Sequence, residues 1–159
     1  MHSLLGMAML IDTNVWLALM LAHHPFHDAA RRYCDTPTPL LLCASVQVSL
    51  MRLLTTTSIQ QHYGLGAISN DGALVYLIQL RANPRVQMIA EPVELLPGWM
   101  QLAAHTTPAP KRWMDAYVAA VAWHHGVSFV TLDQGCASYR TAGVHVVIVG
   151  ETPQGSVVA

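Results

Sequence analysis

Short apolar runs alternate with amphipathic stretches along the chain, and this alternation restricts the possible folds more than any other feature. The first run, GMAMLI at residues 6–11, has no helical periodicity and stops at Asp12. Such a run is typical of a strand that is covered on both faces of a parallel sheet. Similar runs predict further strands at residues 40–44, 86–90, 127–132 and 144–149.

Helical patterns separate these runs. Helices are predicted at residues 15–22, 27–33, 45–54, 72–81, 95–105 and 113–125. Asn14 is expected to cap the first helix and Gly126 to end the last one. A polar, threonine-rich stretch at residues 55–63 carries no predicted helix. The alternation predicts an α/β fold, a three-layer α/β/α sandwich around a mainly parallel central sheet.

The length and composition predict one domain. The chain has 159 residues, of which 53% are hydrophobic and 11% charged, so it can build a large core. Residues 1–150 are assigned to this domain and residues 151–159 to a polar C-terminal tail. The apolar segment at residues 1–21 contains Asp12 and Asn14, so we interpret it as a buried strand and helix, not as a membrane segment.

The cysteine content indicates the cellular compartment of the protein, and its net charge limits the kinds of partner that it can bind. Three cysteines without a CxxC pair favour a reducing cytoplasm over a disulfide framework. The net charge of −1 provides no broad cationic surface, so any nucleic-acid contact must be local. Arg52, Lys111 and Arg112 are the candidates for phosphate contacts, with ordinary solvated charges as the alternative. The high apolar content predicts a hydrophobic contact surface, hence a homodimer or a bound partner.

Three aspartates are expected to meet at one edge of the sheet. Asp12 ends the first predicted strand, Asp133 ends a late one, and Asp115 lies near the start of the helix between them. Ligands of open parallel sheets collect at the carboxyl ends of the strands. Clustered carboxylates repel one another unless a cation joins them, and such ligands suit Mg²⁺ or Mn²⁺. Each aspartate taken alone would also serve as a helix cap or turn residue.

Four segments together resemble the PIN-domain ribonucleases, in particular the VapC-type toxins. They read LIDTNVWLA at residues 10–18, HPFHDAA at 24–30, WMDAYVAA at 113–120 with HG at 125–126, and VTLDQG at 130–135. The resemblance extends from about residue 9 to residue 149 and implies a PIN-like α/β/α fold.

The resemblance also implies a function. It implies an Mg²⁺- or Mn²⁺-dependent endoribonuclease that acts on RNA as the toxin of a type II toxin–antitoxin pair and is inhibited by a cognate antitoxin. Asp12, Asp115 and Asp133 match the family's catalytic, metal-holding acids. Thr13, Asn14 and Thr131 match small polar positions that support the carboxylates.

One position departs from the family pattern. Ser49 stands where the family usually has a glutamate in the helix after the second strand. Loss of this carboxylate would weaken a second metal most, so we expect one well-held metal, with Ser49 as a supporting residue. The departure also allows an alternative, a catalytically weakened PIN fold that binds RNA or a protein partner.

Several other features have simpler interpretations. His23 and His27 stand four residues apart, but no third ligand is specified, so surface positions are favoured over a metal site. Core packing is favoured for the tryptophans at 16, 113 and 123, and Trp99 is a candidate to line a groove. A haloacid-dehalogenase-like phosphatase with Asp12 as nucleophile would need a second acid where Asn14 stands.

Overall fold

The predicted apolar runs form one sheet in a computed structural model, which describes residues 8–151. The strands are β1 (Met9–Ile11), β2 (Leu40–Leu42), β3 (Val86–Met88), β4 (Ser128–Thr131) and β5 (Val146–Ile148). All neighbouring pairs are parallel, and the order is β3-β2-β1-β4-β5. β1 is the central strand, and all its residues are buried. Residues 6–7 of the first predicted strand and 152–159 of the predicted tail lie outside the described residues.

Helices connect successive strands, as parallel pairing requires. They are α1 (Thr13–Met20), α2 (His27–Cys34), α3 (Ala44–Leu54), α4 (Thr57–His62), α5 (Asn70–Ala82), α6 (Leu96–Ala103) and α7 (Arg112–His125). Two 3-10 helices span Val93–Leu95 and Gln134–Ala142. Helices and sheet form the predicted three-layer α/β/α sandwich. Across residues 8–151, no helix has both the length and the apolar character needed to span a bilayer.

Two local predictions are wrong. The helix α4 lies inside the threonine-rich stretch for which no helix was predicted. Its Gln60 is buried, and its side-chain amide donates to the carbonyls of Leu54 and Ile68 at 2.9 and 3.0 Å. A polar contact of this kind holds the helix without an apolar stripe, so hydrophobic periodicity does not reveal it. Ala44 begins α3 and does not end β2.

Two residues have clear roles at the ends of helices. Asp12, not Asn14, caps α1, because Asp12 Oδ1 accepts a 2.8 Å hydrogen bond from the backbone N–H of Thr13. Gly126 follows α7 with a φ of 66°, as predicted for a residue that ends a helix in the left-handed region. The three cysteines are buried and free, so no disulfide joins them.

Candidate active site

The register of the two central strands places Asp12 and Asp133 at the same edge of the sheet. Ile11 pairs with Val130, and the backbone N–H of Asp12 donates to the carbonyl of Val130 at 2.9 Å. Asp133 follows two residues after the end of β4. Both aspartates therefore lie at the edge of the sheet that the strand-end argument indicated.

Asp12 is held firmly in a buried position. Its side chain takes a 2.6 Å hydrogen bond from the Thr131 hydroxyl on Oδ2, in addition to the Thr13 N–H on Oδ1. Burial raises the pKa of Asp12 above its ordinary value, although these two hydrogen bonds oppose the shift. Thr131 is fully buried, so it has little freedom to turn away. The orientation of the Asp12 carboxylate is thus fixed before any ligand arrives.

Asn14 and Thr131 connect the two strand ends. The Asn14 amide donates to Thr131 Oγ1 at 3.3 Å and accepts from the backbone N–H of Leu132 at 3.1 Å. Thr131 Oγ1 also accepts from the backbone N–H of Asp133 at 3.1 Å. These bonds position the loop that carries Asp133 relative to Asp12.

Asp115 reaches the same place from the first turn of α7. One ligand atom from each of Asp115, Asp133 and Cys136 lies within 4.8 Å of the others. Burial and then the neighbouring Asp12 carboxylate raise the pKa of Asp115 to about 6. Both causes disfavour the ionised form of the Asp115 carboxyl, as expected for a half-buried acid beside other carboxylates.

Lys111 supplies a positive charge at the mouth of the cluster. Its Nζ lies 2.6 Å from Asp133 Oδ2 and holds the pKa of Asp133 below its usual range. The lysine side chain is 77% exposed, so this ion pair contributes little to stability and the ammonium can leave it. A cavity of about 220 Å³ opens here, and its lining includes Lys111, Asp115 and Asp133.

The other predicted contact residues have different surroundings. Arg112 borders the same cavity as Lys111, but its guanidinium donates from Nε to the carbonyl of Leu102 at 2.9 Å and lies over the Tyr139 ring at 4.9 Å. Arg52 is exposed in the last turn of α3. Ser49 is buried in α3, and within residues 8–151 no hydrogen bond joins its side chain to the three aspartates.

Two residues of this edge were not singled out from the sequence. Cys136 is buried one turn after Asp133, with its thiol among the carboxylates. Glu91 lies three residues after β3, and its Oε1 accepts from the backbone N–H and hydroxyl of Ser45 at 2.8 and 2.6 Å. Glu91 also follows the end of a strand, so the argument that predicted Asp12 as a site residue applies to Glu91 as well.

The remaining histidine and tryptophan predictions have mixed outcomes. His27 Nδ1 lies 2.7 Å from the carbonyl of Ala18, and within residues 8–151 the only candidate metal group is Asp115, Asp133 and Cys136. Trp16 packs in the core as predicted, with 2% of its surface exposed. Trp113 does not, because 58% of its surface is exposed.

Comparison with known proteins identifies the family. The PIN domain family matches residues 9–142. Ribonuclease VapC41 of Mycobacterium tuberculosis (strain H37Rv) is 38% identical over 135 residues, which cover 82% of this chain and 92% of that protein.

Solved structures show the same fold at lower identity. VapC20 of Mycobacterium tuberculosis, a Sarcin-Ricin loop cleaving toxin, has a TM-score of 0.62 at 21% identity and covers 86% of this chain and 96% of its own. VapBC-1 of nontypeable Haemophilus influenzae has a TM-score of 0.63 at 14% identity, with coverages of 91% and 100%. The family match over residues 9–142 and the 38% identical relative overturn the phosphatase alternative. The chain belongs to the PIN-domain family and is a nuclease of its VapC type.

Proposed function

We propose that this protein is an Mg²⁺- or Mn²⁺-dependent endoribonuclease and the toxin of a type II toxin–antitoxin pair. The observation that carries the proposal is the acidic cluster at one sheet edge, in a chain that is 38% identical to a ribonuclease. Ligand atoms of Asp115 and Asp133 lie within 4.8 Å of each other, and Asp12 is close enough to raise the pKa of Asp115. The reaction is hydrolysis of an RNA phosphodiester with water as the nucleophile.

The donor set of the site fits a hard divalent cation. Carboxylate oxygens are the protein ligands that Mg²⁺ and Mn²⁺ prefer, and Asp115, Asp133 and Asp12 would supply them. When bound, the cation supplies an activated water and neutralises charge that develops on the phosphate. It would also offset the burial and the repulsion from Asp12 that raise the pKa of Asp115 to about 6.

The chain's own residues prepare this reaction. Hydrogen bonds from the Thr131 hydroxyl and the Thr13 N–H hold both oxygens of Asp12, so the orientation of its carboxylate is fixed. Lys111 stands at the cavity mouth on Asp133, and an incoming phosphate offers it an alternative anionic partner. The ammonium can therefore pass from the carboxylate to the substrate as RNA enters.

The proposal also includes exposed apolar surface that would contact other protein chains. Large apolar side chains are exposed on α3, α5 and α6, among them Val48 at 68%, Ile78 at 67% and Met100 at 66%. Monomeric proteins rarely leave so much apolar surface uncovered, which supports a homodimer and a cognate antitoxin that covers part of this surface. The structural likeness to VapBC-1 supports the proposal of an antitoxin partner. Buried, free cysteines support a cytoplasmic place of action.

Cleavage of a structured RNA tests the proposal. Purified protein with Mg²⁺ or Mn²⁺ is expected to cut the RNA, EDTA to stop the reaction, and excess Mg²⁺ to restore it, as followed on a sequencing gel. A mock purification from cells that lack the gene is the control. Cleavage that persists in EDTA would reject metal dependence.

A catalytically weakened PIN fold is the second candidate, and Ser49 at the glutamate position favours it. Calorimetric titration separates the two candidates. An active metal enzyme is expected to bind Mn²⁺ with measurable heat. The absence of binding at millimolar Mn²⁺, together with retained RNA binding, would support the weakened form.

Removal of the Thr131 hydroxyl tests the support of Asp12. Thr131→Val is expected to reduce cleavage by about 10- to 100-fold, because loss of a group that orients a metal-site carboxylate has effects of this size. It also leaves the Asp133 N–H without its acceptor, so urea denaturation should show a loss of about 1–3 kcal/mol. Thr131→Ser keeps the hydroxyl and should retain most activity. Equal rates for the valine and serine variants would contradict this role.

A further inference from the structure

Beside the acidic cavity lies a second cavity of about 430 Å³ that is bordered mainly by aromatic and apolar side chains. Its lining includes Ser45, Glu91, Trp99, Trp113, Met114 and Tyr117. The two cavities are neighbours, since Pro110 borders both. Trp113 and Met114 also immediately precede Asp115 on α7. The aromatic cavity is therefore close to a nucleotide that lies next to one held at Asp115.

Trp113 presents a fixed and exposed ring. Its backbone carbonyl accepts a 3.0 Å hydrogen bond from Trp99 Nε1, and the two indole rings lie 5.8 Å apart. Trp99 in turn meets the Tyr117 ring edge-on at 6.1 Å. The Trp113 side chain remains 58% exposed. A supported, exposed aromatic face beside a nuclease site is suited to stacking on an unpaired base.

Glu91 provides a single negative charge in this cavity. Its Oε1 takes both hydrogen bonds from Ser45, whereas Oε2 receives only a long one of 3.4 Å from the Tyr117 hydroxyl. An ionised carboxylate accepts hydrogen bonds and donates none, so Oε2 retains capacity for a donor. Adenine, cytosine and guanine each carry an exocyclic amino donor. The only base-edge N–H of uracil, at N3, lies between two carbonyl oxygens that a carboxylate repels.

We infer that the aromatic cavity binds one base of the RNA next to the scissile phosphate, stacked on Trp113 and selected by Glu91 for an exocyclic amino group over uracil. The inference rests on the proposed ribonuclease function and adds which part of the substrate is recognised. The aromatic rings and the position beside the acidic cavity favour a nucleotide over a protein segment as the occupant.

Sequencing the ends of a cleaved random-sequence RNA pool tests the role of Glu91. The wild type is expected to show uracil depleted at one fixed position relative to the cut. Glu91→Gln should remove this depletion, because the amide can donate to a uracil carbonyl while its oxygen still accepts from Ser45. Glu94→Gln, an exposed change three residues away, should leave the profile unchanged.

Kinetics on one short RNA test the role of Trp113. Trp113→Leu is expected to lower kcat/KM about tenfold, mainly through KM, as loss of one stacked base does. Trp113→Phe should recover most of the loss. Gel filtration of both variants should match the wild type.

Three results would count against the inference, and they are distinguishable. An unchanged base profile for Glu91→Gln, with active wild type, rejects base selection while the ribonuclease function stands. Dissociation of an oligomer by Trp113→Leu assigns the cavity to a second copy of the chain and overturns RNA as its occupant. A wild type that cuts no RNA rejects the proposed function and the inference with it.

Discussion

Asp12→Asn is expected to reduce RNA cleavage by about 10³-fold or more. A metal-held carboxylate contributes several kilocalories per mole to charge stabilisation, and each tenfold in rate corresponds to about 1.4 kcal/mol. The amide lacks the negative charge, and its nitrogen is a donor facing Thr131 Oγ1. That oxygen already accepts from Asn14 and from the Asp133 N–H, so the amide cannot reproduce the hydrogen bonds of the carboxylate.

The variant protein should remain folded, because an asparagine oxygen can still accept the Thr13 N–H that begins α1. Circular dichroism and urea denaturation check this point. Asp35→Asn alters an exposed acid outside the site and should cleave at the wild-type rate. Residual cleavage by Asp12→Asn at a tenth of the wild-type rate or more would show that Asp12 is not a catalytic ligand.

The fold could be predicted because parallel strands buried on both faces leave nearly continuous apolar runs in the sequence. The central strands β1, β2 and β4 have this pattern and are the most deeply buried. The same logic located Asp12 and Asp133, since residues that follow such runs lie at one edge of the sheet. The same pattern brought in Asp115, because it lies near the start of the helix that leads into β4, and the family resemblance then matched all three acids.

The missed features depend on contacts between distant segments. Lys111 and Asp133 are 22 residues apart, and their ion pair follows from the path of a loop that no periodicity describes. Trp113 was assigned to the core because helical spacing shows which residues share a face, but not whether another element covers that face. Glu91 was missed because β3 is largely exposed, so its end is a weak marker of the sheet edge.

Asp115→Asn is expected to abolish cleavage and yet stabilise the metal-free protein. Burial and the Asp12 carboxylate raise the pKa of Asp115 to about 6, from an ordinary value of 3.8. Between these values the folded state holds a proton that the unfolded state has lost, so stability falls as pH rises from about 4 to about 6. An asparagine has no charge to bury, so the variant should gain about 1–2 kcal/mol at pH 7.5 after allowance for solvent screening.

Urea denaturation in EDTA at pH 7.5 and pH 4 measures this difference. The advantage of Asp115→Asn should become small at pH 4, where the wild-type carboxyl is protonated in the folded protein and roughly 40% protonated in the unfolded chain, whose ordinary pKa is 3.8. Asp35→Asn provides the matched control, because it removes an exposed charge and should show no such pH dependence. Saturating Mg²⁺ should then stabilise the wild type but not Asp115→Asn, since the cation needs the charge that the variant lacks. A variant less stable than the wild type at pH 7.5 in EDTA would mean that burial and repulsion of the Asp115 charge do not destabilise the metal-free protein.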